Sequence, residues 1–306
     1  CGELFAGVFA PALMLVARRE EEAQARDEQQ VVAELRAKKG LRTRKPFVQA
    51  SLAQGPERIF AVHADVEASG LLARIAQNTA TLKGHAQFHM GIVTGDNARL
   101  ISERAISEAH EPLLVGTDID PYRIRFSGHY LVFDPLTLQQ TAKRAAYDAP
   151  GKLVYRFIGK RLVFARDDEA RLTLNNVNFL IPQLPGFRSA YILALLNSRV
   201  LQFYYTLNFF TLKVLRGNLE RLPLRYVPEE RQLAVERLVR QAEAAEDEEE
   251  YAVRMAEIED AVAEIYGLGA DERAMIAARL AETLGKPASQ ARTPQETTLL
   301  SFANEG

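Results

Sequence analysis

The stretch KLVYRFIGKRLVFARDD, residues 152–168, decides the fold of this chain. Two apolar runs, 153–158 and 161–165, flank Gly159-Lys160, and this arrangement predicts a β-hairpin that turns at the dipeptide. Because side chains alternate along a strand, the first strand should carry its cations on one face and both of its aromatic residues on the other. One face holds Lys152, Val154, Arg156 and Ile158, and the other holds Leu153, Tyr155 and Phe157. Such a strand suits a sheet laid against a polyanion, and it equally suits any half-buried sheet.

Further short runs of strand-forming residues surround the hairpin, and each is bounded by Gly, Asn, Asp or Pro. They cover residues 89–93, 112–115, 130–133 and 177–181. A helix is predicted over 66–77, with Leu71, Leu72 and Ile75 on its buried side. Helical spacing returns over 191–206, and from Glu229 onward apolar residues recur at helical intervals. These patterns predict a mixed α/β (α+β) fold with a small mixed or antiparallel sheet and a C-terminal helical element.

The composition is that of an ordinary globular protein: 306 residues, of which 47% are hydrophobic and 25% are charged. The single cysteine argues against an intrachain disulfide framework and suits a reducing cytoplasm. No apolar run reaches the roughly 18–20 residues that a membrane helix needs. The chain starts at Cys1 rather than at an initiator Met, so we interpret it as a fragment or a processed protein.

Charge is distributed unevenly, although the net charge is only −2. Residues 82–225 hold 19 Lys or Arg against 12 Asp or Glu, whereas residues 226–306 hold 8 against 18. Cationic side chains neutralise phosphates, and amide side chains can bond to base edges. A polyanion such as DNA is therefore the partner that the middle of the chain favours.

The order of motifs along this basic segment resembles that of a known family. Around the hairpin stand GIVTGDN (91–97), PLLVGTDIDPY (112–122), AYILALLNSRVLQFYY (190–205), LERLPL (219–224) and IEDAVAEIYGL (258–268). Together they resemble the C-terminal target-recognition (specificity) domain of TaqI-like N6-adenine-specific DNA methyltransferases, as in type II restriction–modification methylases.

The resemblance implies a sequence-specific DNA-recognition module, whose parent enzyme flips an adenine out of the duplex and methylates N6 with S-adenosylmethionine. Such methyltransferases carry an Asn/Asp-Pro-Pro-aromatic motif. This sequence has no Pro-Pro, since Asp134-Pro135 is followed by Leu136, and it has no convincing glycine-rich turn for S-adenosylmethionine. We therefore expect no catalytic residue, bound cofactor or metal in this chain, which should be inactive alone. Its expected partners are double-stranded DNA and a missing N-terminal methyltransferase domain.

Composition, helical spacing and the resemblance together predict a division of the chain into five segments. They are the end of the methyltransferase catalytic domain (1–19), a helical connector (20–81), the DNA target-recognition domain (82–228), C-terminal helices (229–285) and a flexible tail (286–306). Two alternatives stay open. The chain can be the C-terminal part of a fused restriction–modification endonuclease/methyltransferase, or a non-enzymatic DNA-specificity or scaffold protein whose basic middle is a solvated surface.

The candidate DNA-binding residues are cations, amides and one hydroxyl of the basic segment. Gly91 and Gly95 allow the backbone to approach a phosphate, or they form an ordinary tight turn. Phe209 and Phe210 are more typical of a core than of an intercalating wedge. The predicted DNA-binding residues are Thr94, Asn97, Arg123, Arg125, Lys152, Arg156, Lys160, Arg161, Asn176, Lys213 and Arg216.

Overall fold

The structure is a computed structural model that describes residues 15–36, 42–52, 64–209 and 211–284. The predicted tail, 286–306, lies outside the described residues. The helices are α1 Ala23–Glu28, α2 Gln49–Leu52, α3 Val66–Ile75, α4 Asn97–Leu100, α5 Arg144–Tyr147, α6 Ser189–Asn197, α7 Arg199–Asn208, α8 Arg216–Leu219, α9 Glu229–Ala244, α10 Glu248–Ile265 and α11 Ala270–Leu284. The strands are β1 Gln30–Arg36, β2 Arg42–Val48, β3 Thr79–Ala80, β4 Ala86–His89, β5 Ile101–Ser102, β6 His110–Leu114, β7 Ile119–Asp120, β8 Arg123–Ile124, β9 Tyr130–Val132, β10 Lys152–Arg156, β11 Phe164–Asp167, β12 Leu172–Thr173, β13 Val177–Pro182 and β14 Leu224–Arg225.

A four-stranded antiparallel sheet, in the order β11-β10-β13-β4, forms the centre of the protein. The predicted hairpin supplies its first two strands, with Lys152 opposite Asp167 and Tyr155 opposite Phe164. The position of the turn is confirmed, but the connection covers residues 157–163 rather than two residues. The connection is longer because the backbone at its start bonds to residues 211–216.

Both faces of this central sheet are buried. Leu153 and Tyr155 pack with the helices, whereas Val154 and Phe179 pack against a second sheet in the order β12-β6-β9-β5. That sheet is mixed, because β12 and β6 are parallel and the other pairs are antiparallel. The chain therefore has the mixed α/β fold that the sequence predicts. Of the two alternatives for the first strand, the half-buried sheet applies at Lys152 and Val154, which are fully buried on the side of the second sheet.

Helices α3, α6, α7, α9, α10 and α11 contribute buried residues to one helical layer against the central sheet. The predicted helical stretch 191–206 forms two helices, since the Ser198 side chain accepts the Leu201 N–H at 3.2 Å and caps α7. Strand β14 pairs with β3, and α9 packs on α6. The α3 segment, the central sheet and the C-terminal helices consequently share one apolar core.

The helical connector expected over 20–81 is only partly helical. Helix α1 ends at Glu28, and the following QVVAELR forms β1, which pairs antiparallel with β2. Because β-branched residues favour strands when a partner strand is present, pairing overrides the helix-favouring composition here. Helix α3 confirms the helix predicted over 66–77, and the Asp65 side chain caps it by accepting the Ala68 N–H at 3.0 Å.

Candidate nucleic-acid interface

Several loops leave the same end of the central sheet. Strands β10 and β4 finish at this end, and β11 and β13 begin there. The loop 157–163 and the turn 174–176 therefore lie side by side, and the Phe157 N–H donates to the Asn176 carbonyl oxygen at 2.9 Å. The loop 90–97, which contains the GIVTGDN motif, starts from this end too.

A further segment, residues 211–216, pairs with the loop 157–163. The Gly159 N–H donates to the Leu212 carbonyl oxygen at 2.8 Å, and a second main-chain bond of 2.8 Å joins the same two segments. Between these bonds the two segments form an isolated antiparallel bridge. The pairing explains why the hairpin connection is long, because its first residues bond to this segment instead of extending the hairpin.

A buried glutamine on α7 holds the loop from behind. The Gln202 Oε1 atom accepts the Leu162 N–H at 2.7 Å, and its Nε2 atom donates to the Lys160 carbonyl oxygen at 3.1 Å. The residue is 6% exposed, so these bonds form away from solvent. Sequence reasoning missed Gln202; the one available signal is its place inside an otherwise apolar helical run.

The two paired loops carry four exposed cations, which we call the basic rim. They are Lys160, Arg161, Lys213 and Arg216. Partial burial lowers the pKa of Arg161, and the like charge of Arg199 lowers it further. Arg216 pairs with Glu220 at 2.8 Å on the surface, where such a pair contributes little to stability. Neither paired loop contains an Asp or Glu, so the two loops themselves are positively charged.

The polar candidates beside the rim make hydrogen bonds within the protein. The Asn176 Oδ1 atom accepts the Gly116 N–H at 3.2 Å. The Thr94 hydroxyl, which is buried, donates to Asn97 Oδ1 at 2.5 Å. These bonds favour turn-forming roles, and DNA contact by the three side chains stays a prediction.

Gly91 is required by packing rather than by a ligand. A Cβ atom at this position would lie 2.2 Å from the Leu174 carbonyl oxygen and 2.4 Å from that of Val177. The Gly91 N–H also donates to the buried Asn178 side chain at 3.2 Å. The close approach that this glycine permits is therefore to the turn before β13, not to a phosphate.

Lys152 lies outside the candidate interface, and its prediction as a DNA contact is wrong. Its side chain is fully buried, where it forms an ion pair with Asp167 and donates to the Tyr147 carbonyl oxygen at 2.7 Å. Asp167 also pairs with Arg171 at 3.0 Å. Burial lowers the pKa of Lys152, and Asp167 opposes the change. Alternation assigned Lys152 to the correct face, but the second sheet encloses that face, so no phosphate can reach the ammonium group.

Two other predicted residues hold the short β7–β8 hairpin in place. Asp120 in β7 pairs with Arg156 at 3.1 Å and with Arg125 at 2.9 Å. Arg156 also donates to the Ile119 carbonyl oxygen at 2.6 Å. Arg125 bonds to Glu248 at 2.5 Å, and this bond raises the pKa of the guanidinium group. Both residues already have structural partners, and DNA contact by them stays a prediction.

Arg123 fastens the same hairpin to the junction of α9 and α10. Its guanidinium donates to the carbonyl oxygens of Ala242 at 3.2 Å and Ala245 at 2.6 Å. It also lies 3.7 Å from the centre of the Tyr251 ring. With its side chain only 12% exposed, Arg123 is a structural residue in this conformation.

Within residues 15–36, 42–52, 64–209 and 211–284, no three His, Cys, Asp or Glu side chains cluster as a metal site. In the same ranges, none of the helices combines the length and apolar character that crossing a membrane requires.

Comparison with known proteins gives one family match. Residues 111–224 match the model of the TaqI-like C-terminal specificity domain. The matched range contains the hairpin β10–β11 and all four residues of the basic rim. A search of curated protein sequences found no match.

Three solved structures are similar to this chain at low sequence identity. The Type IIL restriction–modification enzyme MmeI, in complex with DNA, is 11% identical over 67% of this chain and 36% of its own, with a TM-score of 0.44. The HsdS subunit from Thermoanaerobacter tengcongensis is 14% identical over 67% of this chain and 52% of its own length, with a TM-score of 0.37. The type IIG restriction endonuclease BpuSI is 10% identical over 74% of this chain and 36% of its own length, with a TM-score of 0.42. This chain thus matches between 36% and 52% of the length of these proteins.

Proposed function

We propose that this chain recognises double-stranded DNA through the basic rim, because residues 111–224 match the model of the TaqI-like C-terminal specificity domain. The observation that carries the proposal is the pairing of 157–163 with 211–216, which gathers four exposed cations with no acidic residue in either segment. Binding of phosphates by such cations releases counterions from DNA, so the affinity should fall steeply with salt.

The rim and its neighbouring turns would have different roles. Lys and Arg side chains on phosphates position a protein on the duplex but carry no sequence information. Sequence would be read by the turns that leave the same end of the sheet, 90–97 and 174–176, where Asn175 is exposed. An Asn side chain can bond to the N6 and N7 atoms of adenine in the major groove.

We also propose that the parent protein is a cytoplasmic S-adenosylmethionine-dependent N6-adenine DNA methyltransferase of a restriction–modification or phage-defence system. The motif order from residue 91 to residue 268 and the family match support this proposal. The sequence has no Pro-Pro motif for the methyl-transfer chemistry and no convincing glycine-rich turn for the cofactor, so its residues fit neither. Both are therefore assigned to a methyltransferase domain that would cooperate with this chain.

Expression of the parent gene in a host without adenine methylation would test the enzymatic proposal. Single-molecule sequencing of the host DNA should reveal N6-methyladenine at one recurrent sequence. Unmethylated DNA, despite a full-length and folded product, would contradict it.

DNA binding by this chain is tested with a triple variant of the rim, Lys160→Ala, Lys213→Ala and Arg216→Ala. The matched control removes the same charge from α9 with Arg231→Ala, Arg237→Ala and Arg240→Ala. Fluorescence anisotropy with a labelled random-sequence duplex gives the slope of log affinity against log salt. Three lost phosphate contacts should reduce that slope by about 2.7, because each contact contributes roughly 0.9. An equal reduction in the control variant would show that the rim is not the binding site.

A further inference from the structure

An aliphatic side chain projects from the centre of the basic rim. Ile158 is 62% exposed, although its backbone is held by the pairing of its loop with residues 211–216. It stands opposite Lys213 in the isolated bridge between the two segments. Leu212 and Leu215, in the partner segment, are 43% and 42% exposed. A backbone held by main-chain hydrogen bonds thus presents apolar surface to water between Lys or Arg residues.

The surrounding charge indicates which kind of partner covers this apolar surface. All charged residues of the two paired loops are Lys or Arg. The core of a protein–protein interface is typically depleted in Lys. An apolar side chain that enters a base-pair step, in contrast, has phosphates on both sides and needs cations beside it. Ile106 is comparably exposed at 68%, but it lies in a segment with acidic residues, Glu103 and Glu108.

We propose that Ile158 is a wedge that enters a base-pair step of duplex DNA and unstacks it, while the rim cations hold the flanking phosphates. The proposal rests on the DNA recognition proposed above. Isoleucine is among the residues that DNA-bending proteins insert in this way. The main-chain bonds on both sides of Ile158 mean that the wedge is already ordered before binding, which reduces the entropic cost of insertion. Phe209, which the sequence favoured as a core residue over a wedge, is 9% exposed and packs in the core, and Phe210 lies outside the described residues.

An abasic duplex tests the wedge, because a step that lacks one base is already partly unstacked. The affinities of the chain for an intact duplex and for the same duplex with a central abasic site are compared by anisotropy. The wild type should prefer the abasic duplex by about tenfold or more, since the cost of unstacking is largely removed. Ile158→Ala should lose this preference and keep the salt dependence, because no charge is removed. Ile106→Ala, the matched control, should keep both.

The outcomes separate the wedge from DNA binding as such. If the wild type binds both duplexes equally, or if the preference survives in Ile158→Ala, the wedge is overturned while the salt-dependent binding of DNA stands. If the wild type shows no salt-dependent binding to either duplex, the proposed function fails and the wedge fails with it. Thermal unfolding of each variant checks the fold, and a substitution at a side chain this exposed should leave it intact.

Discussion

Replacing Lys152 with Met tests whether this cation belongs to the fold rather than to a DNA surface. The substitution removes a 2.7 Å bond to the Tyr147 carbonyl oxygen and the ion pair with Asp167. It leaves the Asp167 carboxylate buried, with Arg171 at 3.0 Å as a remaining charged partner. Breaking a buried ion pair costs roughly 3–5 kcal/mol, and the retained arginine places the expected loss near the lower end. A loss of about 3 kcal/mol is a large part of the 5–15 kcal/mol that stabilises a typical domain.

Urea unfolding followed by circular dichroism measures this loss as a lower midpoint with an unchanged m-value. The matched control is Lys143→Met, at an exposed lysine, which should change the stability by less than about 0.5 kcal/mol. Under native conditions the folded fraction of Lys152→Met should bind DNA with the salt slope of the wild type, because a buried ammonium releases no counterion. A reduced salt slope with unchanged stability would refute the reasoning, since it would mean that Lys152 reaches phosphate.

Three further substitutions test the contacts around the interface. Gly91→Ala should lower the free energy of unfolding, measured in urea, by about 1–3 kcal/mol, because its Cβ atom would lie 2.2 Å from the Leu174 carbonyl oxygen. A variant as stable as the wild type would show that the backbone of the neighbouring turn moves away at little cost. Arg123→Ala should lower the free energy of unfolding by about 1.5–3 kcal/mol, because it removes charge-assisted bonds to backbone carbonyl oxygens. It should also speed amide hydrogen exchange at the end of α9, and unchanged exchange there would contradict this anchoring role. Burial raises the pKa of Glu259, which accepts the Arg199 N–H, to about 7, so the folded carboxyl keeps its proton to higher pH than the unfolded one. Its stabilising contribution is complete below the unfolded pKa and is lost as the pH rises through about 7. Urea unfolding at several pH values should show this loss in the wild type and not in Glu259→Gln, and parallel profiles would contradict it.

Local sequence patterns predicted much of the architecture because strand and helix periods record which side chains share a face. The hairpin of residues 152–168, the strand at 177–182 and helix α3 all form where the patterns indicated. The segment 30–36 was misread as helical, since its strand needs β2 as a partner and composition does not reveal a partner. Lys152 was misread for a related reason. Alternation identifies the face on which a residue lies, but it does not say whether another sheet covers that face.

The sequence by itself determined the mixed α/β class, the basic character of the middle segment and the resemblance that the family match over 111–224 supports. It also singled out the four cations of the basic rim, one by one. Only the tertiary structure decided that they form one surface, because that surface depends on main-chain bonds between 157–163 and 211–216 and on the buried Gln202 behind them. It likewise decided which cations are used internally, since ion pairs such as that of Lys152 with Asp167 form between strands. Such contacts between segments distant in sequence leave no periodic trace along the chain, whereas alternation and composition do.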